Sequence, residues 1–135
     1  MHVFSAIWDT GATNTVITEN VAKQCGLAPT GMTLVQTAHG SKQANTYLVS
    51  VYLPANVHFR SVKVTEGELG GADLLIGMDI IGVGDFAVSS LGGQTVFTYR
   101  YPSSTRFDFV ADHVPVVKRK PFTTQRKAKP GKPKK

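Results

Sequence analysis

The amino-acid sequence predicts an all-β domain with one short helix. Short apolar and β-branched segments recur between Val3 and Tyr101, and clusters of Gly, Ser, Asn and Pro separate them. A chain of 135 residues is suited to a single core. With 41% hydrophobic residues it can bury such a core, which excludes wholesale disorder.

Strands are predicted wherever apolar and β-branched residues run together or alternate: residues 3–8, 32–37, 46–53, 57–65, 72–77, 86–89 and 95–101. The second and third of these segments flank the turn signal His39-Gly40-Ser41, which predicts a hairpin with a polar tip. The last two flank Leu91-Gly92-Gly93-Gln94 and predict another hairpin. Segment 72–77 has the composition of a strand buried on both faces.

A helix is predicted over residues 18–25. Thr18 can cap its first turn, and Gly26 stands where a helix ends. Cys25 on this helix is expected to be a small buried apolar residue. A single helical turn is predicted at residues 78–81.

The net charge of +6 belongs to the end of the chain. Nine of the fifteen Lys and Arg residues lie in segment 118–135, which has no acid, whereas residues 1–117 carry six basic and nine acidic residues. We therefore divide the chain into a domain at 1–117 and a basic, disordered tail at 118–135. A solvated extension is favoured over an electrostatic tether to nucleic acid or another polyanion, because no aromatic residues interleave with the charges.

Several classes of protein are excluded by what the sequence lacks. No apolar run approaches the ~18 residues of a membrane span, and the first residues have no basic region followed by an apolar one. Cys25 is the only cysteine, so neither an internal disulfide nor a cysteine zinc cluster can form. We expect a cytoplasmic protein with no membrane contact, no metal and no cofactor.

The main chemical signal is Asp9-Thr10-Gly11-Ala12-Thr13, which directly follows the apolar residues Ala6-Ile7-Trp8. This context holds the Asp9 carboxylate near the core at the end of a strand. Gly11 lets another backbone approach closely, and the Thr10 hydroxyl can form a hydrogen bond that braces the loop. Without that context, the same residues are typical of an ordinary turn.

A second feature, Leu74-Leu75-Ile76-Gly77-Met78-Asp79, would by itself indicate only a buried strand and a turn. In their order and spacing, the two features together resemble the retropepsin family, the retroviral-type aspartic proteases. The resemblance covers roughly residues 3–101. It implies a closed barrel, with a flap hairpin at residues 37–45 whose tip places His39 and Gly40 near substrate. It also implies a second loop containing Ile76 and Gly77.

The resemblance further implies an aspartic endopeptidase that acts as a homodimer, with Asp9 of each subunit meeting at a two-fold axis. Two such carboxylates share one proton and activate a water molecule against a peptide bond. Thr10, Gly11, Ala12 and Thr13 would brace the loops or contact a substrate bound as an extended strand. No metal or cofactor takes part.

Three departures from the retroviral pattern qualify this resemblance. Thr13 stands where retroviral members often have Asp, and Met78 where they have Arg, so the ion pair between those positions is absent and the style is that of cellular and bacterial members. Only eight residues precede Asp9, so strand 95–101 is expected to supply most of the dimer contact.

Two other functions are consistent with the same sequence. One is a non-catalytic, peptide-binding module of the same fold, which the short N-terminal segment favours and the intact Asp-Thr-Gly opposes. The other is a nucleic-acid-associated protein that acts through tail 118–135, for which binding would depend steeply on salt concentration.

Overall fold

The computed structural model describes residues 2–37 and 40–111. The predicted flap-tip residue His39 and tail 118–135 lie outside the described residues. Eight strands form a six-stranded sheet and a separate two-stranded hairpin, with two short helices between strands. The strands are β1 (Ala6–Trp8), β2 (Val16–Ile17), β3 (Gly31–Thr37), β4 (Gly40–Leu53), β5 (Val57–Glu66), β6 (Leu74–Ile76), β7 (Asp85–Leu91) and β8 (Gln94–Arg100).

The large sheet has the strand order β1-β6-β2-β5-β4-β3 and curls as a half-barrel, which confirms the all-β, retropepsin-like fold class. Among the described residues β1 and β3 are the edges of this sheet, so the closed barrel that the resemblance implied is corrected to a half-barrel. β1 runs parallel to β6, and β2 runs antiparallel to β6 and parallel to β5. The chain segments that lead to residues 9 and 77 therefore come from neighbouring strands. Strand β2 was not predicted, because two residues are too few to show an alternating pattern.

The hairpin of β3 and β4 is confirmed, but its ladder is longer than predicted. β4 begins at Gly40, and residues 40–46 pair with residues 31–37 in continuous antiparallel register. Gly40 and Ser41 thus belong to the strand and not to the turn, a correction to the predicted tip. Pairing continues along β4 onto β5, with a register shift between Val49 and Val51.

Helix α1 (Glu19–Gln24) begins as predicted: the Thr18 side chain accepts a hydrogen bond from the Val21 amide. Val21 and Ala22 of this helix are buried, whereas Cys25 is exposed. The prediction of a buried Cys25 was wrong, because the helix ends before that position reaches the core. Helix α2 (Met78–Ile81) is the predicted turn, and it buries Ile80 and Ile81.

Two adjoining clusters make the core. The first contains Ile17, Val21, Ala22, Tyr47 and Val64, and the second contains Val51, Ile76, Ile80 and Ile81. Of the first N-terminal residues, Phe4 packs against the first cluster, whereas Val3 is 95% exposed. β1 is shorter than the predicted strand 3–8. β1 can extend only as far as its partner β6, which has three residues.

The hairpin of β7 and β8 also forms as predicted. The Trp8 ring contacts three aromatic rings of this hairpin edge-on, with centroid distances of 6.2 Å to Phe86, 5.1 Å to Phe97 and 4.8 Å to Tyr99. The Tyr99 hydroxyl donates to the Ile80 carbonyl over 2.8 Å. These contacts with Trp8 and Ile80 hold the hairpin against β1 and α2, at the end of the sheet where Asp9 lies.

Candidate active site

Asp9 directly follows β1, where it is half-buried. Its amide donates to the Ile76 carbonyl over 3.0 Å, and the Ala12 amide donates to the Asp9 carbonyl over 3.3 Å. The Gly11 amide donates to Asp9 Oδ1 over 2.8 Å. Oδ2 accepts no hydrogen bond within residues 2–37 and 40–111, so one carboxylate oxygen is oriented and the other is available.

The loop after Asp9 is joined to the segment after β6 by main-chain hydrogen bonds. The Met78 amide donates to the Ala12 carbonyl over 2.8 Å, and the Asp79 amide donates to the Thr13 carbonyl over 3.1 Å. Gly77 is buried at this crossing. Backbone hydrogen bonds thus hold the Asp9 loop at Asp9, Ala12 and Thr13.

The Asp79 carboxylate supports the same loop from below. It accepts from the Thr15 amide over 3.0 Å, from the Thr15 hydroxyl over 2.8 Å and from the Ile80 amide over 3.0 Å. The Thr15 hydroxyl in turn accepts from the Gly77 amide over 3.2 Å. Thr15, which is fully buried, was missed, because a threonine in a short loop carries no distinguishing signal.

The predicted site residues fall into two groups. Thr10, Gly11 and Thr13 are exposed and Ala12 is half-buried, and all four stand on the loop that Ile76 and Gly77 support. Gly40 lies elsewhere, at the start of β4 and on the rim of a cavity.

That cavity has a volume of about 900 Å³ and lies under the hairpin of β3 and β4. We refer to it as the hairpin cavity. It is lined by Val16, Thr18, Glu19, Asn20, Val35, residues 40–44 and residues 66–69. Asp9 does not line it: in the sheet, β6 lies between β1, which leads to Asp9, and β2, whose Val16 lines the cavity.

Charged and polar groups bridge the edges of the hairpin cavity. Lys42 of the hairpin pairs with Glu68 over 2.9 Å, and this hydrogen bond raises the pKa of Lys42 and lowers that of Glu68. Glu66 accepts from the Tyr47 hydroxyl over 2.5 Å and from the Asn45 side chain over 3.4 Å. The bond to Glu66 and burial raise the pKa of Tyr47.

The structure also bears on metal binding and on membranes. Within residues 2–37 and 40–111, His, Cys, Asp and Glu side chains do not gather in groups of three or more that could hold a metal ion. The helices of this part of the chain are also too short to cross a membrane.

The comparison with protein families shows to which family this chain belongs. A family model described as "gag-polyprotein putative aspartyl protease" matches residues 2–82, which include the Asp9 loop, the hairpin and the Gly77 segment. The chain belongs to this family. Its membership confirms the resemblance to retropepsins and the class of aspartic protease-like proteins.

Comparisons with individual proteins complete this result. Among solved structures, this aspartyl protease family member is similar to a retropepsin-like aspartic protease from Rickettsia conorii, with 20% sequence identity and a TM-score of 0.46. The match covers 68% of this chain and 69% of that one. No curated protein matches the sequence.

Proposed function

We propose that the chain is an aspartic endopeptidase that acts as a homodimer, with Asp9 as the catalytic residue of each subunit. The observation that carries this proposal is the hydrogen bonding of the Asp9 carboxylate. The Gly11 amide orients Oδ1, no described residue bonds Oδ2, and backbone contacts with the Gly77 segment hold the loop. This arrangement suits a group that must meet a second carboxylate and a water molecule without rearranging.

A second subunit is required because the chain has a single Asp-Thr-Gly sequence. In a two-fold contact, Asp9 of one subunit faces Asp9 of its partner. An exposed apolar surface supports the contact near Asp9. Phe86, Val88 and Phe97 share the side of the β7–β8 hairpin that touches Trp8, and they are 36%, 60% and 47% exposed.

The reaction follows from two carboxylates about 3 Å apart, which share one proton because both cannot be ionised together. The ionised Asp9 takes a proton from a bridging water, whose oxygen attacks the carbonyl carbon of the peptide bond. The protonated Asp9 donates its proton to the carbonyl oxygen. When the tetrahedral intermediate collapses, the C–N bond breaks and the leaving nitrogen receives a proton from the dyad.

The other predicted residues have supporting roles in this proposal. Thr10 braces the paired loops across the dimer, Gly11 presents its backbone to substrate, and Ala12 and Thr13 form the rest of the loop. The hairpin of β3 and β4 covers a polypeptide bound as an extended strand, which His39 and Gly40 contact. Ile76 and Gly77 keep the loop in place.

The proposal is tested by cleavage of an unfolded protein between about pH 4 and 7, a range that includes the higher apparent pKa of a carboxylate dyad. The full-length wild type is compared at high micromolar concentration with Asp9→Asn, which keeps an acceptor for the Gly11 amide. We expect the wild type to cleave and Asp9→Asn to lose at least about a thousandfold in rate. Equal cleavage by both would contradict the role of Asp9. No cleavage by the folded wild type would favour a peptide-binding module.

Circular dichroism and the midpoint of urea unfolding confirm that both proteins are folded. As a matched control, Asp108→Asn changes another acid of the described chain, one that bonds only its near neighbours in sequence, Arg106, Val110 and Ala111. Its rate should equal that of the wild type.

A further inference from the structure

We infer that the hairpin cavity is a subsite for a lysine or arginine side chain of the polypeptide substrate, and that Glu66 is its specificity-determining residue. The inference rests on the proposed function, because it assigns the cavity to the substrate of that site. Three glutamates line the cavity, and they differ in the groups to which their carboxylates are bonded.

Two of the three glutamates that line the cavity are neutralised within the chain. Glu19 pairs with Lys23 over 2.8 Å, and Glu68 pairs with Lys42 over 2.9 Å. Both pairs are largely exposed to solvent, where an ion pair contributes little to stability. A cation of the substrate would gain equally little from either glutamate, so neither is a strong candidate to bind it.

Glu66 differs from both. It is half-buried, and none of the ion pairs of the described residues includes it. The nearest cation, Lys42, interacts with Glu66 electrostatically but is hydrogen-bonded to Glu68. The buried Tyr47 and the half-buried Asn45 both donate to Oε2, and these bonds fix the direction of the carboxylate. Oε1 accepts no hydrogen bond from the described residues. Glu66 therefore presents an oriented oxygen, without a directly bonded cation, at a cavity wall, which is what a cationic side chain binds best.

The remaining walls suit the stem of such a side chain. Val16, Val35 and Leu69 line the cavity and are each partly buried, so they can cover the methylene groups of a lysine or arginine. A volume of about 900 Å³ is ample for one such side chain together with the neighbouring main chain. An apolar side chain would fill the same walls but would leave Oε1 of the Glu66 carboxylate without a partner in a partly dry site.

The place of the cavity in the sheet predicts where in the substrate the basic residue lies. Asp9 follows β1 and Glu66 ends β5, and these strands are three steps apart in the order β1-β6-β2-β5. Three strand spacings make about 14 Å across the sheet. The register places Glu66 level with Ala6, three residues before Asp9, and this offset raises the separation to as much as about 17 Å. An extended substrate covers that distance in about four or five residues, so the basic side chain should stand about four or five residues from the bond that is cut.

The test begins with binding, which does not depend on catalysis. Two fluorescent, extended peptides are prepared that differ in a single central residue, lysine in one and leucine in the other. Their affinities for the full-length protein are measured by fluorescence anisotropy. We expect the wild type to bind the lysine peptide roughly tenfold more tightly, the usual worth of one charge-assisted hydrogen bond.

Glu66→Gln should abolish this preference, because its amide keeps an oxygen for Tyr47 and Asn45 but loses the charge. Glu19→Gln is the matched control: it removes a charge from the same cavity at a paired position and should keep the preference. Urea unfolding confirms that both variants fold. Equal affinity of the wild type for the two peptides, or a preference that survives Glu66→Gln, overturns the inference. So does a preference lost equally in Glu19→Gln, which would indicate only a general negative field.

Mapping of cleavage sites in an unfolded protein mixture separates this inference from the proposed function. Lysine and arginine should be enriched about four or five residues from the cut for the wild type and Glu19→Gln, and not for Glu66→Gln, which should still cleave other sites. Cleavage without any such enrichment refutes the subsite and leaves the proposed function standing. Absence of cleavage together with lysine-selective binding refutes the protease and leaves the subsite.

Discussion

The backbone of Gly77 lies against the backbone of Asn14. A Cβ atom at position 77 would stand 2.5 Å from the Asn14 carbonyl carbon and 2.6 Å from its oxygen. No real Cβ contact is so short, and neither partner is a flexible side chain that could move away. Glycine is therefore required where the segment after β6 crosses the Asp9 loop, and the crossing sets the position of Asp9.

Gly77→Ala should force the two backbones apart. We expect a loss of stability of about 1–3 kcal/mol, the usual cost of overpacking, and a larger loss of peptidase activity than stability alone explains, because Asp9 moves with its loop. Urea unfolding and the cleavage rate of the folded protein measure the two effects. The control is Gly70→Ala, an exposed position where a Cβ meets no atom within 4 Å. Equal behaviour of the two variants would contradict the prediction.

Asp79→Ala should destabilise the loop from the other side. It removes the acceptor of the Thr15 amide and hydroxyl and of the Ile80 amide. Because Thr15 is fully buried, its amide finds no water in exchange, and we expect a loss of about 3 kcal/mol in the free energy of unfolding. Glu68→Gln, which removes an ion pair exposed to solvent, should change the free energy of unfolding far less. Similar losses in both variants would show that Asp79 is not a structural support.

The hydrogen bonds of Asp85 predict that the stability of the folded protein depends on pH. Its carboxylate accepts from the Ser103 hydroxyl, the Ser104 amide, the Arg100 guanidinium and the Thr105 amide, which together hold its pKa well below the ordinary value. A pKa lowered on folding stabilises the folded state above the unfolded value of about 3.9, and this contribution is lost as the pH falls below it.

The urea midpoint of the wild type should therefore exceed that of Asp85→Asn by a constant amount above about pH 5. The gap should narrow as the pH is lowered from about 4 to 3. The region above pH 5 is the internal control, since the charge of Asp85 does not change there in either state. A gap that stays the same throughout would contradict the role of Asp85.

Val88→Asp tests the surface proposed for the dimer. Val88 stands on the apolar side of the β7–β8 hairpin, beside Phe97 in the ladder, whereas its neighbour Ser89 points to the other side. A charge at position 88 should weaken the dimer at least tenfold, and the peptidase activity should fall most steeply at low protein concentration. Ser89→Asp is the matched control and should leave both unchanged. Subunit mass by sedimentation decides, and a Val88→Asp dimer of unaltered affinity would place the contact elsewhere.

Much of the fold was predictable because its signals are local. The Thr18 cap, the apolar runs and the Gly92-Gly93 turn each act within a few residues, and α1, α2 and both hairpins formed where those signals stand. The limits of the hairpin of β3 and β4 were not predictable. The sequence predicted a turn at His39-Gly40-Ser41 and a strand only from residue 46, yet the register with β3 recruits residues 40–45 into a 14-residue strand. Pairing with a neighbouring strand outweighed their local preference.

For the candidate site, the sequence by itself determined the chemistry: an aspartate at the end of an apolar strand, and a glycine in a second segment some 65 residues away. Only the tertiary structure decided the support. The contacts of Asp79 with Thr15 and of Gly77 with Asn14 join residues more than 60 positions apart. The exposure of Cys25 and the free oxygen of Glu66 likewise depend on which surfaces meet. Hydrogen-bond partners and burial are properties of the packed chain, so no local pattern of residues can specify them.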